Sequence, residues 1–328
     1  MSLTVAVTGP TGEIGISTIE ALEEHADVTR IIGMARRPFD PAERGWTKTS
    51  YRQGDILDRE AVDALVSEVD VVVHLAFIIM GTREESARVN LTGTRNVFDA
   101  TVAAGRPRRL VYASSVAAYG YHSDNPSPIT EDVAPRGSSE HYYSEQKAAC
   151  EAALAEATAG SSLEVFVLRP CIVAGPKAPA LADAMPWNRL PAAARRVISA
   201  LPVLKPPFPD PGTPLQLVHH DDVAAAVALA VTTTSAPPGA YNIAGDGLLS
   251  MSDVGDALGA RPVKVPHIAA VATSEAIARL PFLPSIFEWL HAGRASVVMD
   301  TSKAKNQLGW RPRYTSAETL TALASTVH

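Results

Sequence analysis

The chain has 328 residues, of which 46% are hydrophobic and 20% are charged, the balance of an ordinary globular protein. A net charge of −6 without a basic stripe argues against a nucleic-acid partner. The two cysteines and nine histidines show no metal-type spacing, so we expect neither a disulfide framework nor a bound metal.

The first ten residues, MSLTVAVTGP, lack the basic start and the long apolar stretch of a signal peptide. The longest apolar run begins at Val71, is interrupted by His74 and is too short to span a bilayer as a helix. We therefore expect a cytoplasmic protein with no membrane partner.

Short runs of β-branched residues alternate with helical patterns through the first half of the chain. Strands are predicted at 3–8, 29–35, 50–55, 69–76, 108–115 and 163–170, and the longer helices at about 84–104 and 139–157. This alternation predicts an α/β fold with a doubly wound parallel sheet that carries helices on both faces.

The pattern changes after Pro170. Six prolines between Pro202 and Pro214 exclude a regular helix or a central strand in that stretch. An element follows at 217–230, with Asp221 or Asp222 as helix N-cap, and a strand at 239–245. We divide the chain into a sheet-forming part, 1–170 and 217–245, and a smaller part, 171–216 and 246–328.

The stretch VTGPTGEIG places Gly9, Gly12 and Gly15 between the first strand and the first helix. A tight turn, a close approach to a pyrophosphate and close helix packing each require glycine at one of these positions. Backbone N–H groups at the helix start then face the phosphates. A glycine triplet in this context predicts a dinucleotide-binding turn, so the sheet-forming part is the predicted dinucleotide-binding domain.

The end of the second strand bears on which nicotinamide dinucleotide is bound. An acidic residue there would bind the ribose hydroxyls, whereas arginine accommodates a 2′-phosphate. Here Ala35 takes the place of the acid and Arg36 and Arg37 follow, which favours NADP(H) over NAD(H) unless both arginines are merely solvated. Asp55, after the third strand, could accept from the adenine amino group or cap the next helix.

The stretch YYSEQK places Tyr143 and Lys147 four residues apart, on one side of a predicted helix, with Tyr142 out of register. Such spacing is common, so it decides little alone. In the whole chain, however, the motifs resemble the extended, epimerase/dehydratase-like branch of the short-chain dehydrogenase/reductase superfamily. The matching motifs occur in family order: TGPTGEIG (8–15), GDILD (54–58), HLAF (74–77), NLTGTRN (90–96), YASSVAAYG (112–120), YYSEQK (142–147), LRPCIVAGP (168–176), VHHDDVA (218–224), YNIAG (241–245) and LGWRP (308–312).

The resemblance implies a Rossmann domain with a smaller C-terminal substrate-binding domain. By position it implies catalytic roles for Ser115, Tyr143 and Lys147. The cofactor-binding residues expected from the motifs are Gly9, Thr11, Gly12, Glu13, Ile14, Gly15, Arg36, Arg37, Asp55, Ile56, Leu75, Ala76, Asn90, Lys147, Pro170 and Cys171. Relatives of this kind often dimerise through the Tyr-Lys helix, so a homodimer is also expected.

These roles have a physical rationale. A free phenol titrates near pH 10, and a neighbouring ammonium is expected to lower the pKa of Tyr143 towards neutrality. Tyr143 would then exchange a proton with the substrate oxygen, Ser115 would hydrogen-bond that oxygen, and Lys147 would hold the nicotinamide ribose.

Three functions compete: a carbonyl/alcohol oxidoreductase, a nucleotide-sugar epimerase, and a non-catalytic dinucleotide sensor. The sensor has no need of the three catalytic residues. Val116 and Ala117 stand where dehydratases of the family carry carboxylates, and Leu215 and Gln216 where nucleotide-sugar enzymes carry arginine. Other residues leave the choice open: the arginines that could substitute are Arg189, Arg195, Arg196 and Arg294, and the aromatic residues that could line an apolar substrate site, or form a core, are Trp187, Phe208, Phe282, Phe287 and Trp289. We predict an NAD(P)-dependent reductase or dehydrogenase with a small, non-nucleotide substrate.

Overall fold

Seven parallel strands form the central sheet in the computed structural model, which describes residues 2–79, 82–191, 201–265 and 296–326. The strands are β1 (Leu3–Thr8), β2 (Val28–Ala35), β3 (Thr49–Gln53), β4 (Val71–His74), β5 (Arg109–Ala113), β6 (Glu164–Pro170) and β10 (Gly239–Ile243). Their order is β10-β6-β5-β4-β1-β2-β3, which confirms the predicted doubly wound Rossmann fold. The order reverses between β1 and β4, where such sheets bind ligands.

Helices cover both faces of this sheet. On one face α1 (Glu13–Glu24) packs against α7 (His220–Thr232). On the other, α2 (Arg59–Val66) packs on α4 (Thr94–Ala104), and α4 packs on α5 (Tyr142–Thr158). The predicted long helix is present but not uniform. α3 (Arg83–Ala87) continues through a π-helical stretch, Arg88–Gly93, into α4. Alternate β1 side chains enter opposite cores, Val5 and Val7 on the α1 face and Ala6 on the other.

The smaller elements lie outside the central sheet. In one two-stranded sheet β7 (Ile172–Ala174) pairs with β9 (Leu217–His219), and in another β8 (Pro207–Asp210) pairs with β11 (Arg261–Lys264). Among the residues that the structure describes, the remaining α-helices are α6 (Ala180–Asp183), α8 (Met251–Ala257) and α9 (Ser316–Ala324). The proline-rich stretch thus forms a 3₁₀ turn, Pro202–Leu204, and a short outer strand, β8. No comparison tests the division into two parts, which stays a prediction.

The start of α7 differs from the prediction. Residues 217–219 form β9, so the N-cap is His219, whose Nδ1 accepts from the N–H of Asp221 at 3.3 Å. Asp222 turns inward and accepts from the backbone N–H groups of Arg313 and Tyr314 at 2.9 and 3.1 Å. The C-terminal segment is thereby anchored to α7. Among the described helices, none combines the length and the hydropathy needed to cross a membrane.

His74 ends β4 inside the protein. Its Nδ1 lies 2.6 Å from Thr8 Oγ1 and its Nε2 lies 3.0 Å from Thr94 Oγ1. Burial, with a smaller contribution from the Lys147 charge, lowers the His74 pKa to about 3. The folded protein therefore keeps this imidazole neutral.

We expect this histidine to make the protein acid-labile. An unfolded histidine binds a proton below about pH 6.5, whereas folded His74 does so only near pH 3. The unfolded state thus binds more protons in this window, and stability falls as pH falls through it, by about 2 kcal/mol at pH 5. Urea unfolding at pH 7 and pH 5 should show a smaller loss for His74→Gln than for the wild type. Equal losses in the two proteins would mean that His74 titrates normally in the folded state.

Candidate active site and dinucleotide cleft

The glycine turn after β1 has two glycines that packing requires. Gly9 has φ +75°, and a Cβ there would lie 2.8 Å from the Ala76 nitrogen. A Cβ on Gly15 would lie 2.1 Å from the Gly9 carbonyl oxygen. Both positions therefore exclude a larger residue on steric grounds, since the obstructing atoms are backbone.

Gly12 is different, because a Cβ there would meet only the Gly9 oxygen, at 3.5 Å. It is the exposed N-cap of α1, and no side chain accepts from the first N–H groups of this helix. A pyrophosphate fits this open cradle, where helix N–H groups and the helix dipole favour negative charge. The turn is thus suited to a dinucleotide.

The other predicted residues of this turn face the protein. Glu13 is half-buried, and its carboxylate accepts from the N–H of Ala180 at 3.1 Å. Burial raises the pKa of Glu13, with Asp183 also raising it, against the opposing effect of that hydrogen bond. Ile14 packs against the core on the α1 face, and Thr11 is half-buried.

The end of β2 is held by backbone contacts. Tyr51 donates its hydroxyl to the Ala35 oxygen at 2.8 Å and also bonds the Arg37 oxygen. Gln53 Nε2 donates to the Arg36 oxygen at 2.9 Å. The side chains of Arg36 and Arg37 are exposed and form no ion pair within the described part of the chain. The two guanidinium groups are therefore free to meet a ligand at this sheet edge.

The alternative role for Asp55 as a helix cap is wrong. Asp58 caps α2, since its Oδ1 accepts from the N–H groups of Glu60 and Ala61 at 3.0 and 3.2 Å. Asp55 instead accepts from the N–H of Leu57 at 3.0 Å, in the loop after β3. Its predicted contact with adenine stays a prediction.

Three further predicted residues line the same edge. Ile56 is buried against Gly93, where a Cβ would lie 2.6 Å from its Cγ1. The Leu75 N–H donates to the Thr8 oxygen at 3.1 Å, and the Ala76 backbone lies against Gly9. These contacts hold the β4 exit loop beside the glycine turn.

Asn90 is fully buried in the π-helical stretch. Its Oδ1 accepts from the N–H of Ile78 at 2.8 Å, and its Nδ2 donates to the Ile78 oxygen at 2.9 Å and to Gln146 Oε1 at 2.8 Å. The side chain therefore fastens the β4 exit loop to α5, and any effect of Asn90 on a cofactor would act through that loop.

The three predicted catalytic residues come together at the carboxyl end of β5 and the start of α5. Ser115 is buried and caps the short 3₁₀ turn Val116–Tyr119, and its hydroxyl lies close enough to the Tyr143 phenol to influence its pKa. Tyr143 is half-buried in the first turn of α5. Lys147 is 3% exposed and donates from Nζ to the Ala113 oxygen at 2.9 Å. The four-residue spacing on α5 places Tyr143 and Lys147 on one face, and the segment that leaves β5 brings Ser115 to that face.

The expected lowering of the tyrosine pKa is not found. Burial raises the pKa of Tyr143, and the interaction with the Ser115 hydroxyl only partly opposes this. Burial also lowers the pKa of Lys147 to about 8, while Cys150 and Glu151 act to raise it. Tyr143 is thus protonated at neutral pH, as a group that donates a proton must be.

Sequence reasoning missed Phe77, although HLAF contains it. The Lys147 Nζ lies 3.6 Å from the centre of the Phe77 ring, and that ring meets the Tyr143 ring edge-to-face at 5.5 Å. The rings of Tyr121 and Tyr143 also approach His141, at 5.3 and 6.3 Å. The Tyr143 ring therefore packs between the aromatic rings of Phe77 and His141.

Other predicted lining residues belong to the core. Cys171 at the end of β6 is buried, burial raises the pKa of its thiol, and its N–H donates to the Ile243 oxygen at 2.9 Å. Pro170, before it, is buried opposite Ile243 in the sheet. Trp187 and Phe208 pack edge-to-face at 6.1 Å within the core of the smaller part, so they do not indicate a substrate. Phe282, Phe287, Trp289, Arg195, Arg196, Arg294 and the side chain of Arg189 lie outside the described part of the chain.

The chain is similar in sequence and in fold to known proteins. A family model described as the NAD dependent epimerase/dehydratase family matches residues 5–244. The uncharacterized protein y4nG of Sinorhizobium fredii is 27% identical over 328 residues, covering 96% of this chain and 76% of its own. Cinnamoyl-CoA reductase 1 of Petunia hybrida is 27% identical over 186 residues, covering 52% of this chain and 55% of its own. The solved structure of UDP-glucuronic acid 4-epimerase from Bacillus cereus in complex with NAD is 19% identical, covers 99% of this chain and 98% of its own, and gives a TM-score of 0.72, a likeness that shows the fold.

Proposed function

The chain belongs to the NAD-dependent epimerase/dehydratase family, and from this we propose that it is an NAD(P)-dependent oxidoreductase acting on a small, non-nucleotide carbonyl or alcohol. The observation that carries the proposal is the grouping of half-buried Tyr143 with buried Ser115 and Lys147, together with an open glycine turn. The cinnamoyl-CoA reductase among the relatives supports the proposed reaction class. Its name is that of a reductase, and it is 27% identical to this chain over 186 residues.

In the proposed reduction, a bound dinucleotide supplies the hydride to the carbonyl carbon. Ser115 hydrogen-bonds the carbonyl oxygen and stabilises the charge that develops there. Tyr143 donates its phenolic proton to that oxygen, so the product leaves as the alcohol. The glycine turn holds the pyrophosphate, and Lys147, directed by the Ala113 oxygen, holds the nicotinamide ribose. In the oxidation direction the same groups act in reverse.

The substrate class follows from what surrounds Tyr143. Gln216, at the position where nucleotide-sugar enzymes of the family carry arginine, is uncharged, and its amide binds the Met299 backbone, where it accepts at 2.8 Å and donates at 3.4 Å. It therefore offers no charge to a nucleotide sugar. Phe77 and Tyr121 place apolar rings near the phenol, a lining that suits an uncharged carbonyl compound.

A panel assay tests the proposed class. NADPH and NADH would be followed with acetophenone, cyclohexanone, 2-butanone and cinnamaldehyde, and UDP-glucose and UDP-glucuronic acid would be assayed for epimerisation. We expect turnover of at least one of the simple carbonyl compounds. Turnover of nucleotide sugars alone would favour the second candidate, an epimerase, which requires the same tyrosine and lysine and has the fold of the solved epimerase.

We propose NADP(H) as the preferred cofactor because β2 ends without an acid and two exposed arginines follow. Arg36→Ala should weaken NADPH binding by about tenfold and leave NADH binding within about twofold, since only NADPH carries the 2′-phosphate. Fluorescence titration of both dinucleotides measures this. Arg44→Ala, an exposed arginine of the short 3₁₀ turn Pro41–Arg44, serves as the control. Equal losses for both dinucleotides would show that Arg36 does not read the phosphate.

The expected homodimer is likewise a proposal. Ala149 and Ala152 are exposed on α5, and such small side chains permit a second helix to approach closely. Light scattering of the purified protein tests it, and a monomeric mass at working concentrations would contradict it.

A further inference from the structure

A buried ion pair lies directly behind the candidate catalytic cluster. Arg169 on β6 donates to both carboxylate oxygens of Glu151 on α5, from Nε at 3.0 Å and from Nη2 at 2.6 Å. The two side chains are only 5% and 7% exposed. A fork-to-fork arrangement of this kind fixes the relative position of the two elements as well as their charge.

Both partners reach the catalytic serine segment. Ser114, adjacent to Ser115, donates its hydroxyl to Glu151 Oε1 at 2.5 Å. Arg169 Nη1 donates to the Tyr119 hydroxyl at 2.8 Å, at the other end of the 3₁₀ turn. The turn that begins at Ser115 is thus held at both ends by one ion pair.

The same pair also reaches Lys147. Tyr143, Lys147 and Glu151 follow at intervals of four residues, so they lie along one face of α5. Tyr119 in turn donates to Asn242 Oδ1 at 2.7 Å, which ties the arrangement to β10. One connected set of contacts therefore spans α5, β5, β6 and β10 beneath the cluster.

A stability role alone does not account for a buried ion pair. Removing two charges from water is costly, and apolar residues of similar size usually serve stability equally well or better. We infer that the Glu151–Arg169 pair is a positioning device, which holds the Ser115 turn in register with the Tyr143–Lys147 face of α5. This inference rests on the proposed function, and neither residue touches the reacting atoms.

The pair also shapes the charge environment of Lys147. In the described part of the chain, the titratable groups around the Lys147 ammonium are Tyr143, Cys150 and Glu151 from α5, His74 from β4 and Tyr112 from β5. Of these, Glu151 is the one hydrogen-bonded to Arg169. Removing its carboxylate takes away a group that favours the ammonium, so the pKa of Lys147 should fall below about 8.

The double variant Glu151→Met/Arg169→Met separates positioning from stability. We expect an unchanged or higher Tm, because no uncompensated charge is left. We expect kcat with NADPH and the best ketone of the panel to fall about tenfold or more, with the NADPH Kd within about threefold.

NMR titration of 13C-labelled lysine, with Lys147→Met to assign the signal, should show the lower pKa of Lys147. Glu156→Gln removes an exposed α5 carboxylate that pairs with Arg95, and it should change none of these quantities.

Wild-type kcat together with an unchanged Lys147 pKa in the double variant would overturn the inference. If no substrate of the panel gives measurable turnover, an unchanged Lys147 pKa overturns it and a lower pKa supports it. If the double variant does not fold, Ser114→Ala removes only the hydroxyl contact to Glu151. It should lower kcat about threefold or more, and wild-type kcat would contradict the inference. An active Tyr143→Phe enzyme would refute the proposed function itself, whereas an inactive Tyr143→Phe beside a fully active double variant would refute only the positioning role.

Discussion

Replacing Tyr143 by phenylalanine should lower kcat by about 10²- to 10⁴-fold, because it removes the hydroxyl that exchanges a proton with the substrate oxygen. Binding of NADPH should stay within about twofold of the wild type, since the ring is kept and the proposed phosphate site, the glycine turn, is unchanged. Steady-state kinetics with the best carbonyl compound of the panel and a fluorescence titration of NADPH measure the two quantities.

Tyr142→Phe is the matched control. It removes a hydroxyl from the adjacent residue of the same helix, one that donates to the Ile79 oxygen at 2.9 Å. Its kcat should stay within about tenfold of the wild type, the loss expected for one hydrogen bond at most. Comparable losses in the two variants would mean that the Tyr143 hydroxyl has no special part in the reaction.

The glycine turn gives a second large effect, and here two glycines should respond differently. Gly12 has φ −80° and ψ 173°, which alanine adopts freely, and a Cβ there makes only ordinary contact. Gly12→Ala should therefore change the free energy of unfolding by about 1 kcal/mol or less. It should nevertheless weaken dinucleotide binding at least about tenfold, because the methyl group occupies the space the pyrophosphate needs.

Gly15→Ala should instead destabilise the protein by about 3 kcal/mol or more, since its Cβ would lie 2.1 Å from the Gly9 carbonyl oxygen. Urea unfolding and NADPH titration of the two variants give the comparison. Wild-type affinity in a stable Gly12→Ala protein would show that no pyrophosphate lies over this turn. Equal instability in the two variants would show that the turn is packed more tightly at Gly12 than the contacts indicate.

The sequence alone predicted those features that lie within a single short segment of the chain. Gly15 is required by contacts with Gly9 and Pro10 within the turn, so the sequence pattern around it is specific, whereas Gly9 also meets Ala76 in the loop after β4. Tyr143 and Lys147 share a face because both lie on α5, whatever else the helix meets. The helix boundaries were less accurate: His219 rather than an aspartate caps α7, because residues 217–219 pair with β7 and delay the helix start.

Contacts between distant segments were not predictable in this way. The Lys147 ammonium lies over the Phe77 ring although 70 positions separate the two residues. Arg169 of β6 binds Glu151 of α5. The direction of the Tyr143 pKa also depends on burial, which the spacing to Lys147 does not reveal. Trp187 and Phe208 could line a substrate site or a core, and only their mutual packing showed that they form a core.

The succession of strands and helices along the chain, the contact of Gly15 with Gly9 in the glycine turn and the tyrosine–lysine helix face were determined by the sequence itself, because each depends on periodicity or on backbone sterics within a few residues. The tertiary structure decided what surrounds them: the aromatic ring on Lys147, the ion pair behind Ser115 and the amide of Asn90 that fastens the β4 exit loop. These contacts depend on which side chains meet when helices and loops pack on the sheet and exclude water. Burial then sets the charge states of the side chains.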